Sequence, residues 1–199
     1  MRSPYAGRPT RQWLSVTRRL LERFPLSTAQ LVEVVLHSWD DLFHSRVGRS
    51  AYVIGEAIRP EPQIMGFLLH ELIPLNLASR YPGQWRRGAA AHECDAVHVP
   101  DDRFSFEIKT SSSRSGIFGN RSYVHGSATS RKRRSGFMLA ANFGRFSAGA
   151  GRPQVVLVRF GWLDSSDWIG QKAPSGQQAR LTKEAKAYKL LVLYEGRKQ

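Results

Sequence analysis

Between residues 10 and 24 the apolar side chains Trp13, Val16, Leu20 and Phe24 recur at helical spacing, and Pro25 ends the run. Ser27 followed by Gln30 is a capping-box pattern that opens a second helix, on which Leu31, Val35, Trp39 and Leu42 share a face; Gly48 closes that region. Pro60 and Pro62 suit the entry of a third helix over residues 63–79. Beyond it the hydrophobic period shortens. Strands are expected at residues 92–99, 104–110, 136–143, 154–162 and 188–194, with polar, glycine-rich loops between them. Helices first and a mostly β region afterwards predict an α/β (α+β) fold, a mixed central sheet of about five strands flanked by helices. No repeat or long low-complexity linker divides the 199 residues, so one domain with a helical part over residues 1–60 is expected.

Strand alternation gives the segment 104–110 two unlike faces. Phe104, Phe106 and Ile108 fall on one, suited to a core; Ser105, Glu107 and Lys109 fall on the other. Alone, this pattern describes any amphipathic strand with a solvated side. The preceding segment 92–99 reads as a second strand and residues 100–103 as its turn, so the two should form a hairpin that brings Asp95 beside Glu107 and Lys109. Two carboxylates and a lysine make a site for a hard divalent cation. Such a cation stabilises charge on a phosphoryl group and acidifies bound water; the lysine can orient or deprotonate that water, or neutralise the phosphate.

This site depends on hairpin register. A plain turn pairing Val99 with Phe104 would place Asp95 opposite Ile108, on the wrong face. The site requires a turn with an odd number of residues, a bulge near Asp95, or an Asp95 just outside the regular pairing. A further acid, Glu71, has Phe67, Leu68 and Leu75 as helical neighbours, an inward face on which a carboxylate must be paired or metal-bound; a glutamate at the helix edge is the other reading. Pro74 removes the backbone bond to the His70 carbonyl and predicts a kink.

Charge narrows the partner. Thirty Lys and Arg against sixteen Asp and Glu give a formal net charge of +14, which attracts nucleic acid; a protein partner or a membrane surface is the other use of such charge. No apolar run is long enough to span a bilayer, and the N-terminus lacks the apolar stretch of a secretory signal. Cys94 is the only cysteine, which excludes an intrachain disulfide and a zinc–cysteine cluster and fits a reducing cytoplasm. His37, His44, His70, His92, His98 and His125 show no metal-ligand spacing and read as structural or surface residues, though His70 and His92 flank site candidates.

The order Glu71 on a helix, Asp95 at a strand start and Glu107-Ile108-Lys109 on the next strand resembles the PD-(D/E)XK nuclease superfamily, with Cys94 where the motif's proline would stand. Residues 107–113, 117–123, 136–143, 167–171 and 175–178 resemble type II restriction endonucleases of the ScaI-like group, a likeness covering residues 62–195 as a catalytic core. The resemblance implies a Mg²⁺-dependent homodimer, with Mn²⁺ as a substitute ion, that hydrolyses both strands of double-stranded DNA at a short palindromic site. It assigns catalysis to Asp95, Glu107, Lys109 and Glu71, with the three acids as metal ligands.

DNA contacts are expected from Ser111, Ser112, Ser113, Arg114, Asn120, Arg121 and Tyr123, which leave the catalytic strand directly, and from the basic run Arg131, Lys132, Arg133 and Arg134. A flexible loop and a solvated turn are the bland readings of these segments. The glutamine-rich stretch 171–178 reads as base-contacting or as an ordinary polar loop. Two other functions fit: a nuclease of the same superfamily that acts in repair or junction cleavage, and a non-catalytic basic nucleic-acid-binding module.

Overall fold

A computed structural model describes residues 2–120, 135–149, 151–171 and 178–196. The expected contacts from Arg121, Tyr123, Arg131, Lys132, Arg133 and Arg134 lie outside the described residues, as does His125. Three helices lead the chain: α1 (Trp13–Glu22), α2 (Thr28–His44) and α3 (Pro62–Arg80). The capping box forms as its residue types require. The Gln30 amide donates to Ser27 Oγ at 3.2 Å, and the Ser27 amide donates to Gln30 Oε1 at 2.8 Å. Leu31, Val35, Trp39 and Leu42 are all buried on one face of α2. The third helix begins on Pro62 and runs through Pro74 to Arg80, so the proline is accommodated inside one helix.

The hairpin β1 (Arg46–Val47) and β2 (Tyr52–Val53) links α2 to α3. The main sheet holds β3 (Trp85–Arg87), β4 (Ala96–His98), β5 (Phe106–Ser111), β7 (Gly136–Phe143), β8 (Val155–Leu163) and β11 (Leu190–Glu195). Its order is β11-β8-β7-β5-β4-β3; β5 and β7 run parallel and the other neighbours antiparallel, so the sheet is mixed as expected. A smaller sheet of β6 (Phe118–Asn120), β10 (Gln178–Leu181) and β9 (Trp168–Gly170) lies apart, and α4 (Lys183–Tyr188) precedes β11.

Alternation sorts the main sheet's side chains into two cores. Phe106, Ile108, Phe137, Leu139, Phe143 and Phe160 share a core with α1, α2 and α3, while Phe24 meets the rings of Phe106, Phe137 and Phe160 at centroid distances of 6.2, 4.8 and 4.7 Å. Met138, Ala140, Leu163 and Leu190 share the second core with Trp168 and Ala179 of the smaller sheet, Ile117 just before β6 and Ala185 of α4. The residues 1–60 therefore supply much of the helical layer.

Two sequence expectations change. The sheet gains an edge strand, Trp85–Arg87, too short and polar to register as a β pattern. The expected strand 92–99 shrinks to Ala96–His98 because residues 88–95 fold back on themselves. The Gly88 amide bonds the Asp95 carbonyl at 3.0 Å, and the Glu93 carboxylate caps the amides of Ala89 and Ala90 at 2.7 and 3.2 Å. Among the described residues no helix is long and apolar enough to cross a membrane.

Candidate active site

The register of β4 on β5 decides where Asp95 points. Ala96 pairs with Phe106. The intervening residues 97–105 are odd in number because Asp102–Phe104 winds into a 3-10 turn rather than closing tightly. Asp95 therefore stands across from Glu107, one residue before β4 begins. Two of the anticipated routes to the site, an odd connection and an acid just outside regular pairing, are both realised. The Ile108 amide then donates to Asp95 Oδ2 at 2.7 Å.

On β5 the alternation is as expected: Phe106 and Ile108 are wholly buried in the helical core, while Glu107 and Lys109 occupy the other face. Lys109 Nζ lies 3.6 Å from Glu107 Oε2 and donates to the Ile108 carbonyl at 3.2 Å. Burial relaxes along the strand, with Phe106 to Ile108 buried and Lys109 to Ser111 half-buried. Its C-terminal half opens into a cleft of about 750 Å³ that Lys109, Ser111, Ser112 and Ser113 line together with His70 and Glu71 of α3.

The third helix is held close to β5 by Gly66. Thr110 Oγ1 donates to the Gly66 carbonyl at 3.0 Å, and a Cβ on residue 66 would stand 3.0 Å from that hydroxyl. One turn later His70 Nε2 lies 3.2 Å from Asp95 Oδ2, and His70 Nδ1 lies 3.3 Å from Glu71 Oε1. Glu71 Oε2 is ion-paired with Arg87 of β3. The face carrying Glu71 is not the core face expected from its neighbours: Phe67 is 62% and Leu75 50% exposed, whereas Met65, Leu69, Ile73 and Leu77 are buried. Apolar residues surround α3 on most sides, so its sequence could not single out the buried stripe.

These contacts set the charges. Burial pushes the Asp95 carboxyl upward, but the His70 hydrogen bond, the charges of Lys109 and His70, and the Ile108 amide outweigh it and hold the group well below the usual carboxylate range. The bond to Asp95 raises His70 above the ordinary imidazole value, against its own burial and the charge of Lys109. Read as a structural or surface residue in the sequence, His70 instead bridges two of the candidate acids. The sequence signal was its place next to Glu71.

Asp95 and Glu107 supply the hard oxygen donors that a magnesium-sized ion takes. Among the described residues, the Ile108 amide and His70 both meet Asp95 at Oδ2. Among the described residues no three His, Cys, Asp or Glu side chains already form a metal cluster, and Glu71 is engaged by Arg87 and His70.

The loop after β5 is gripped from below. Asn142 on β7 is buried, and its Nδ2 donates to the carbonyls of Ser113 and Gly116 at 2.7 and 2.8 Å. Arg159 on β8, also buried, donates to Asn142 Oδ1 at 2.7 Å and to the Ser115 carbonyl at 3.1 Å, and burial pulls its pKa down to about 10. Lys186 of α4 reaches Ser115 Oγ at 3.2 Å, and Arg145 reaches Ser112 Oγ at 3.1 Å. Ser111, Ser112 and Ser113 thus line the cleft on a braced loop, with Arg114 and Asn120 exposed beside it.

A family model described as "ScaI restriction endonuclease" matches residues 3–194. The chain is also 45% identical over 196 residues to "Type II restriction enzyme ScaI" of Streptomyces caespitosus, covering 98% of this chain and 86% of that protein.

Proposed function

The chain belongs to the ScaI restriction endonuclease family and is a site-specific restriction endodeoxyribonuclease; from that premise we propose that Asp95, Glu107 and Lys109 are its catalytic group, and that it uses Mg²⁺ to cut both strands of a short palindromic site in double-stranded DNA. The observation that carries this reading is the Ala96–Phe106 register, which sets Asp95 across from Glu107.

Asp95 and Glu107 would hold the ion, with Mn²⁺ able to take its place; Glu71 would join them only by giving up its contacts with Arg87 and His70. When bound, the cation supplies positive charge to the scissile phosphate and acidifies the attacking water. Lys109, positioned by Glu107 and the Ile108 carbonyl, orients that water and carries charge toward the phosphate. His70 holds Asp95 in place, and Arg87 holds Glu71. The +14 charge draws the DNA phosphates into the cleft, where Ser111, Ser112, Ser113 and Arg114 receive them. A two-fold homodimer matches the symmetry of a palindrome. The lone Cys94 fits work in the cytoplasm, where restriction enzymes meet incoming DNA.

Plasmid digestion in Mg²⁺, with and without excess chelator, tests this reading once the ends are sequenced. It predicts fixed ends, related by a two-fold axis on the two strands, and no cutting in chelator. Scattered ends would point to a repair-type nuclease, and undiminished cutting in chelator would contradict the metal-dependent mechanism.

A further inference from the structure

The smaller sheet packs one face against the main domain, and its other face is exposed among the described residues. Ala179 and Trp168 are buried beneath it, and Gly119 lies so close to the Trp168 ring that a Cβ there would meet it at 2.7 Å. Alternation then sends Phe118 and Asn120 of β6, Gln178 and Arg180 of β10, and Ile169 and Gln171 outward, all exposed.

Pairing arranges these six into two rows. Asn120 is opposite Gln178, whose backbone amide donates to Gln171 Oε1 at 3.4 Å and whose carbonyl accepts from the Gln171 amide at 3.1 Å, so three carboxamide residues share one row. In the next row Arg180 lies between Phe118 and Ile169. The face carries no acidic residue. Phe118 and Gln178 also line the large cleft with Lys109, Glu71 and His70, so this face adjoins the Lys109 end of the candidate active site.

A solubilising strand face has no need of this selection. Carboxamides bind adenine in bidentate fashion, arginine binds guanine, and an apolar ring can touch the thymine methyl. The major groove, about 12 Å wide, admits a two-stranded ribbon, and β6 and β10, about 4.8 Å apart, carry Asn120, Gln178, Arg180 and Phe118 on one such ribbon. We propose that the outward face of β6–β10–β9 is the base-reading surface, with Asn120 and Gln178 directed to adenine, Arg180 to guanine and Phe118 to a thymine methyl. The assignment rests on the family's site-specific cleavage of DNA and is independent of which residues perform the chemistry.

The test measures binding in Ca²⁺ to two duplexes, one holding the site mapped from wild-type digests and one with the same bases scrambled. Asn120→Ala, Gln178→Ala and Arg180→Ala should each lower the ratio of the two affinities about tenfold or more, with scrambled-duplex binding and its salt slope unchanged. Arg180→Lys should not restore the ratio, because an ammonium cannot make two parallel bonds. Unchanged ratios in all three variants would overturn the proposal. So would equal losses on both duplexes with a salt slope smaller by about 0.9, which mark phosphate contacts. Lys109→Ala serves as control: normal cutting by that variant would remove the catalytic assignment while leaving the base-reading result intact.

Discussion

Asp95 accepts the backbone N–H of Ile108 at 2.7 Å, so a carboxylate continues the hydrogen bonding of β5 where β4 has not yet begun. The bond fixes Asp95 relative to the strand that carries Glu107 and Lys109 on either side of Ile108. Asparagine can accept the same bond and alanine cannot. Asp95→Ala should therefore lower stability by about 1–3 kcal/mol, and Asp95→Asn by less, in urea unfolding at neutral pH. Equal losses would mean that the Ile108 bond contributes nothing to the fold.

The braced serine loop makes a second expectation. Asn142→Leu would leave the carbonyls of Ser113 and Gly116, and the guanidinium of Arg159, without their shared partner in the interior. The cost should be about 1–3 kcal/mol, and amide exchange at Gly116, now bonded to Ser113 Oγ at 3.0 Å, should quicken. Exchange unchanged from wild type would show that the loop holds its shape without Asn142.

Packing between the helices and the main sheet centres on Phe160, which is wholly buried and meets Phe24, Phe106 and Phe137 at centroid distances of 4.7, 5.4 and 5.6 Å. Phe160→Ala should cost about 3–5 kcal/mol in chemical unfolding. A loss under about 1 kcal/mol would mean that the cluster closes over the gap.

Acid sensitivity should involve Glu93. Its hydrogen bond and ion pair with Arg86, then the amides of Ala89 and Ala90, hold its carboxyl well below the ordinary value of 4.5. Arg103 likewise pulls Asp101 down to about 2. A folded pKa below the unfolded one stabilises the protein above the unfolded value, and that stability is lost as pH falls. Glu93→Gln should be less stable than wild type at pH 7, and the gap should narrow between about pH 4.5 and pH 3. A gap that widens on acidification would reverse the sign of this account.

The helical layer was legible because its signals are local: a capping box, prolines at helix ends and apolar residues at helical spacing place α1, α2 and α3 within a few residues of where they form. Among the strands, 136–143 was legible to the residue because both faces are buried and only Asn142 interrupts its apolar run. The small sheet was not, since its three strands have three or four residues each and its outward positions mix Phe118 and Ile169 with amides and arginine, which hides the hydrophobic alternation. At the candidate site, the acids and lysine could be named from residue type and order and a hairpin could be expected, but its register could not be chosen. The site depends on the 3-10 turn at Asp102–Phe104, which sets the parity of the connection, and on a helix whose buried stripe is fixed only by the sheet it packs against. His70 was passed over for the same reason: its bond to Asp95 spans elements that the sequence cannot align.

Asp95, Glu107 and Lys109 are proposed to act together on the scissile phosphate. The most direct measurement is the single-turnover cleavage rate of a duplex holding the mapped site, in Mg²⁺ with enzyme in excess, for Lys109→Ala and Asp95→Asn alongside wild type, with circular dichroism to show that each variant is folded. Rates should be lower by about a hundredfold or more in both variants, with binding of the same duplex in Ca²⁺ preserved for Lys109→Ala. Near-normal cleavage by both folded variants would contradict this joint role.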